Sequence, residues 1–285
     1  MPEGPEVTTI AKGLNGILQK KVLSNIEITN KSRYFKKNFD GFNSLISRIN
    51  SIDGLTVKKI ENKGKFIYWQ FDDDSVLFQT LGMSGGWYHS EKSQSGIILT
   101  YLDGLKLKKL YYNDQRRFGT LKYYESKNGL GLKELEKKLK TIGPDLLNDK
   151  YFNKEHFIKL MRKPRLENKN ITRVITDQKL ISGIGNYLKA ESLYAARINP
   201  HKEIKSLTDT ELVNLFTAMK KKIIGSYRTG GASIRHYSDI NNVKGTFEFE
   251  MEVYGKKKDK YGNTVIAEKI AGDSQNTYWV PNIQK

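Results

Sequence analysis

The sequence predicts an α+β fold of two domains. Three observations carry this reading: a helical apolar period over residues 5 to 18, short β-branched and aromatic runs from Val22 to about Tyr124, and helical periods that return after residue 150. At 285 residues and 38% hydrophobic content, with 16 Tyr and 12 Phe, the chain can fill two cores.

Residues 5 to 18 place Val7, Ile10, Ala11, Leu14, Ile17 and Leu18 on one face, and Pro5 suits a first-turn position. The segments KFIYWQF, SVLFQTL, GIILTYL and LKLKKLYY follow, punctuated by Gly and Asp, and predict a β-rich sandwich or barrel. The Gly- and Lys-rich stretch NGLGLKELEKKLKTIGPD marks the domain boundary, between residues 126 and 150. Four helices are expected after it: 153 to 162, 171 to 178, one starting near Asn186, and one with a capping box at Thr208 and Glu211 and a stop at Gly225. The alternation in FEFEMEV, then VIAEKI and TYWV, predicts a small terminal β-hairpin region.

Composition narrows the chemistry. There is no cysteine, which excludes disulfides, thiolate nucleophiles and Cys-ligated zinc; His89, His156, His201 and His236 lack metal-ligand spacing. No apolar run is long enough to span a membrane and no secretory signal pattern is present, so the expectation is a soluble, intracellular protein without a membrane role. The formal net charge of +18 favours polyanions, nucleic acid first, although AT-rich codon usage would also inflate lysine.

The opening MPEGPEV places Pro2 just before a helix. Once Met1 is removed, Pro2 presents a secondary amine with a substantial neutral fraction near neutral pH, and the positive end of the helix dipole disfavours its protonated form. Such an amine can attack C1' of a sugar and form an iminium, with Glu3 placed to shuttle protons. The plainer alternative is that Pro2 only follows Met1 and Glu3 only complements a helix dipole.

KGKF at 63 to 66, LGMSGGW at 81 to 87, NDQRRFG at 113 to 119 and GIGNYLKAES at 183 to 192 complete an ordered set with MPEGPEV. Together they resemble the signature of the formamidopyrimidine-DNA glycosylase and endonuclease VIII family, over most of the chain. The resemblance implies base-excision repair by an α+β fold: an N-terminal helix with an antiparallel β-sandwich, then a helix-two-turns-helix domain ending in a β-hairpin finger. The implied organisation is a catalytic domain over 1–128, a linker over 129–150, a DNA-binding domain over 151–240 and the finger over 241–285.

By the same resemblance Pro2 is the Schiff-base nucleophile, Glu3 the general acid and base, and Lys65 serves β-elimination. Glu6 would lie near the lesion, and reads equally well as an ordinary first-turn glutamate. A nucleotide must leave the duplex to be attacked, and Met83, Arg116 and Phe118 match the side chains that fill the gap. Asn186 matches the asparagine on the damaged strand, with Gly185 beside it, and the GIGN backbone N–H groups are expected to face a phosphate. Arg162, Lys163, Arg165, Lys169 and Arg173 cluster nearby, which argues against codon usage as the whole source of charge.

Most members carry a four-cysteine zinc finger with a DNA-contacting arginine. Here EVYGKKK resembles the entering strand, and TYWVPNIQ the returning one, with Val280 and Ile283 where cysteines would stand. The implied finger is metal-free, as in animal and viral endonuclease VIII-like enzymes. No arginine follows Arg235, so the resemblance leaves two alternatives: Lys269 or Asn276 as substitutes, or a less efficient δ-elimination. The opening PEGPE is like the endonuclease VIII branch and favours oxidised pyrimidines, with formamidopyrimidines and hydantoins, over 8-oxoguanine; the Met83, Arg116 and Phe118 set is more like the other branch. A non-catalytic damaged-DNA-binding protein is the alternative. The expected partner is damaged double-stranded DNA, with single-stranded DNA as a further one, bound by a monomer without a cofactor.

Overall fold

The computed structural model describes residues 2–232, 240–241, 245–270 and 272–285; Arg235 and His236 lie outside them. The chain divides into two compact units. One holds Pro2, Glu6–Thr141 and Gly230–Gly245, the other Glu3–Pro5, Ile142–Thr229 and Thr246–Lys285.

The first unit is built on an eight-stranded antiparallel sheet in the order β5-β7-β6-β1-β2-β3-β4-β8. Its strands are β1 (Val22–Ile28), β2 (Leu55–Lys63), β3 (Phe66–Phe71), β4 (Val76–Thr80), β5 (Gly85–Tyr88), β6 (Ser95–Asp103), β7 (Lys106–Asp114) and β8 (Thr120–Tyr124). β1 and β2 pair at only two positions, Val22 with Thr56 and Leu23 with Leu55. That short seam lets the two four-stranded halves face each other as a sandwich. Trp69 of β3 packs on Trp87 of β5 with ring centroids 5.7 Å apart, and Gln79 Oε1 accepts both indole N–H groups, each at 3.2 Å.

Helix α1 (Gly4–Leu18) lays Ile10, Leu14 and Leu18 into this core, all fully buried. Burial of each is worth roughly 1.5–3 kcal/mol. Two helices lie where the sequence suggested strand or linker. Helix α2 (Phe42–Ile49) forms because Leu45 and Ile49, four residues apart, share one buried face. Residues 129–150, expected as a linker, hold helix α3 (Leu130–Lys140), which buries Leu135 within the first unit.

The second unit contains α4 (Lys154–Met161), α5 (Ile171–Thr176), α6 (Asn186–Ala195) and α7 (Asp209–Arg228). The capping box of α7 is present: Thr208 Oγ1 accepts from Glu211 N at 3.2 Å and Glu211 Oε2 accepts from Thr208 N at 2.7 Å. The helix does not stop at Gly225. It runs three residues further, to the turn where Gly230 takes φ of 76°.

FEFEMEV is not a strand. Phe247–Glu250 form a 3-10 turn, and the amides of Glu252, Val253 and Tyr254 donate to the carboxylate of Glu191. With those donors satisfied by a side chain, the segment needs no ladder partner. The hairpin comprises β9 (Ile266–Glu268) and β10 (Thr277–Trp279), paired Thr277 with Glu268 through Trp279 with Ile266. No helix among the described residues is long and apolar enough to cross a membrane.

Candidate nucleic-acid interface and catalytic residues

In the first unit, Pro2 is buried just ahead of α1, and Lys65, half-buried, ends the tight turn between β2 and β3. Asn62 braces that turn against α1: its Nδ2 donates to Thr8 Oγ1 at 2.9 Å and to Gly64 O at 3.0 Å. Asn15 Oδ1 of the same helix accepts from Ile60 N at 2.7 Å. Lys65 is thus carried on a turn registered to the helix that follows Pro2. Glu6 is fully buried and its Oε1 accepts from Ala232 N at 2.7 Å. The carboxylate anchors the segment that follows α7.

Met83, Arg116 and Phe118 come from two loops that the fold brings together. Arg116 Nη1 lies 3.3 Å from Met83 Sδ, and Phe118 is 56% exposed. An aromatic this exposed, beside a guanidinium and a half-buried thioether, adds little to the core. Gly82, at φ of 62°, lets the first loop pass the second: a Cβ there would stand 2.6 Å from Gly119 N.

Two residues outside the expected set hold this arrangement. Asp114 accepts from Gly119 N at 2.6 Å and from Ser84 Oγ at 2.8 Å, and Ser84 Oγ accepts from Arg116 N at 2.9 Å. Both are buried, with Asp114 7% and Ser84 6% exposed. The carboxylate thereby fixes the backbone on either side of Arg116 and Phe118. Both residues lie inside the LGMSGGW and NDQRRFG motifs, but nothing local to either marks the pairing, which needs the fold.

In the second unit, Glu3 is buried and meets the first turn of α6. Its Oε2 accepts from Gly185 N at 2.6 Å and Leu188 N at 3.4 Å, and its Oε1 from Tyr187 N at 2.9 Å. Gly4 N donates to Gly183 O at 2.8 Å, and a Cβ on Gly4 would reach within 3.0 Å of Gly183 Cα. Of the GIGN amides expected to face a phosphate, Gly183 N donates instead to Gln178 Oε1 at 3.0 Å and Gly185 N to Glu3. A helix N-terminus attracts an anion, and here the anion is the chain's own carboxylate. Gly185, the residue before α6, contributes its N–H to Glu3, and Asn186 donates from Nδ2 to Asn276 O at 2.9 Å.

The basic cluster separates by role. Arg162 is spent internally, its Nη2 reaching Asp209 Oδ1 and Leu207 O at 2.7 and 2.6 Å. Arg173 Nη1 donates to Gly272 O at 2.7 Å. Lys163, Arg165 and Lys169 remain exposed.

Three family descriptions match in order along the chain. The formamidopyrimidine-DNA glycosylase N-terminal domain covers residues 1–121, its H2TH domain 133–238 and its C-terminal domain 238–285. Formamidopyrimidine-DNA glycosylase of Prochlorococcus marinus (strain MIT 9312) is 31% identical over 301 residues, covering 100% of both chains. The chain belongs to the formamidopyrimidine-DNA glycosylase family. The protein of that name from Mycoplasma mobile is 28% identical over 292 residues, covering 100% of this chain and 99% of its own. Among solved structures, a Lactococcus lactis family member complexed with Fapy-dG-containing DNA superposes with a TM-score of 0.82 at 27% identity. The wild-type Lactococcus lactis protein with oxidised-pyrimidine-containing DNA gives 0.81 at 26% identity. Each covers 100% of both chains.

Membership makes the protein a DNA glycosylase, and it raises the question of the finger metal. The residues do not fit zinc. The chain has no cysteine, and no group of three or more His, Cys, Asp or Glu suited to a metal occurs among the described residues. Val280 and Ile283 pack instead in an apolar cluster with Val253, Val265, Ala190 and Tyr194, and Tyr254 meets Tyr278 edge-on at 5.0 Å. A carboxylate holds the entering turn: Asp259 accepts from Tyr261 N at 2.9 Å, Asn263 N at 2.8 Å and Tyr194 Oη at 3.0 Å.

Proposed function

We propose that this glycosylase is bifunctional, releasing an oxidised base through a Schiff base at Pro2 and then nicking the strand as an AP lyase. The Pro2 amine bonds to C1' of an extruded nucleotide as the glycosidic bond breaks; the Glu3 carboxylate takes the proton that the amine loses and delivers it to the ring oxygen as the sugar opens to the iminium. Lys65 serves β-elimination, which removes a C2' proton and breaks the bond to the 3' oxygen; δ-elimination then breaks the bond to the 5' oxygen. Water hydrolyses the remaining imine and restores the amine. Glu6, whose carboxylate holds the Ala232 amide, is assigned a place near the lesion.

The single observation that carries the reading is the paired-loop platform of Met83, Arg116 and Phe118. Its exposed aromatic and its guanidinium, bonded among the described residues to the Met83 sulfur of the same platform, suit the space left by an extruded nucleotide. Asn186 is assigned to the backbone of the damaged strand, while Gly185, whose N–H is taken by Glu3, sets the start of α6 behind it. The preferred substrates are oxidised pyrimidines, then formamidopyrimidines and hydantoins. The PEGPE opening supports this preference, and the subtype assigned is the endonuclease VIII-like one with a metal-free finger. The Met83, Arg116 and Phe118 set favours a second reading, in which 8-oxoguanine is the better substrate.

Borohydride reduction with a lesion-containing duplex tests the chemistry. The wild-type protein, with loss of Met1 verified by intact mass, is expected to give a covalent protein–DNA adduct. Acetylation of the terminal amine should abolish it and Pro2→Gly should sharply reduce it. An adduct that survives both sinks the mechanism. Incision of thymine glycol, 5-hydroxyuracil and 8-oxoguanine duplexes then decides between the two substrate readings.

A further inference from the structure

The finger of this chain lacks the metal that would fix it, yet its loop is held at three points by side chains of α5 and α6. Lys189 Nζ lies 3.0 Å from Asp273 Oδ2, with side chains only 3% and 10% exposed. Asn186 Nδ2 donates to Asn276 O at 2.9 Å, and Arg173 Nη1 to Gly272 O at 2.7 Å. Asp273 Oδ2 also accepts from Thr277 Oγ1, the first residue of β10, at 3.4 Å. The first and last residues of loop 272–276 and the carboxylate between them are thus all tied to the helices.

The ion pair is the specific part of this clamp. A lysine with 2% of its surface exposed cannot itself reach a phosphate, and a buried ammonium is tolerated only with a close partner. Lys189 lies one helical turn after Asn186, on the same side of α6. The residue assigned to the damaged strand and the residue that seats the finger therefore share one rigid helix. At the other end of the finger, Glu191, two residues on, collects the amides of Glu252, Val253 and Tyr254.

We infer that Lys189 and Asp273 are positioning residues: their buried ion pair seats the finger loop on α6, so that Asn186 and loop 272–276 meet DNA as one preset surface. The inference rests on the glycosylase reading, since it assumes that this surface engages damaged DNA. The pair takes over by charge what thiolates and zinc supply elsewhere. Pre-seating spares the cost of ordering the loop at the moment of binding.

The test uses the full chain and a duplex carrying a tetrahydrofuran abasic analogue, which reads affinity without chemistry. Lys189→Met and Asp273→Asn, measured below their melting temperatures, are each expected to bind about tenfold or more weakly, while the single-turnover rate on saturating lesion DNA changes less than about threefold. Lys189→Arg should bind within about threefold of wild type, and the reversed pair Lys189→Asp with Asp273→Lys should recover most of the loss. A purely structural role would lower the melting temperature of these variants and leave the affinity of the folded protein unchanged.

Should Lys189→Met fail to fold, Asp273→Asn carries the same test from the finger side, leaving α6 intact. Folded single variants with wild-type affinity, or a folded reversed pair without recovery, overturn the inference. Absence of analogue binding by the wild-type protein would instead overturn the glycosylase reading.

Discussion

At the scale of single residues, the two loops bearing Met83 and the Arg116–Phe118 pair divide labour between exposed and buried groups. Phe118 is 56% exposed, so Phe118→Ala should change stability by no more than about 0.5 kcal/mol. Excision should nonetheless fall at least tenfold, about 1.4 kcal/mol of lost transition-state stabilisation. Urea denaturation and single-turnover excision measure the two effects separately, and a large stability loss would reassign Phe118 to the fold. Asp114 is the converse. Asp114→Ala strands the Gly119 amide and the Ser84 hydroxyl, so a loss of roughly 2–4 kcal/mol in stability is expected together with the loss of activity. Phe118 was legible because NDQRRFG matches the family motif as a contiguous stretch. Asp114 was not, because its partners lie 5 and 30 positions away and only β-sheet registration brings Ser84 to it.

At the scale of elements, the finger is held by carboxylates as much as by apolar contacts. Glu191 is fully buried, accepts three amides and pairs with Lys222 at 3.1 Å. Glu191→Ala should cost roughly 3–5 kcal/mol, because it leaves a half-buried ammonium and three amides without that partner. Accelerated hydrogen exchange at 252–254 would locate the damage there, and unchanged exchange would refute it. Burial pushes the Asp259 carboxyl up, but hydrogen bonds from Asn263, Tyr194 and Tyr261 outweigh it and leave it below the usual carboxylate range. A depressed pKa stabilises the folded turn fully above the unfolded value near 3.9, and that support is lost as pH falls through the lower folded value. An acid titration of the 259–263 amides should show this loss in the wild type and not in Asp259→Asn.

At the scale of the whole chain, the net charge of +18 predicts DNA binding that weakens linearly in log–log form as salt rises. Charge reversal at exposed Lys163 or Arg165 should flatten the slope by about one unit or more, whereas a change at Arg162 should act through stability, since that guanidinium already holds Asp209 and Leu207. Chelators are expected to leave folding and DNA affinity unchanged, as the apolar cluster of Val253, Val265 and Val280 stands in the finger. A fall in affinity on chelation, restored by zinc, would refute that account.

The sequence by itself determined the two-unit α+β organisation, the α7 capping box and the ordered motifs that bear Pro2, Lys65, Met83 and Asn186. Each of these is written in local periodicity or in a contiguous stretch, where neighbours along the chain are neighbours in space. Only the tertiary structure decided which anion meets the start of α6, why FEFEMEV forms no strand, and what seats a finger without metal. In each case a buried polar group must find its partner, and that partner stands some 60 to 180 positions away: Glu3 for the amides of Gly185 and Tyr187, Glu191 for those of Glu252 to Tyr254, Asp273 for Lys189. Distance along the chain hides such pairs, and the cost of leaving them unmade selects them once the core has closed.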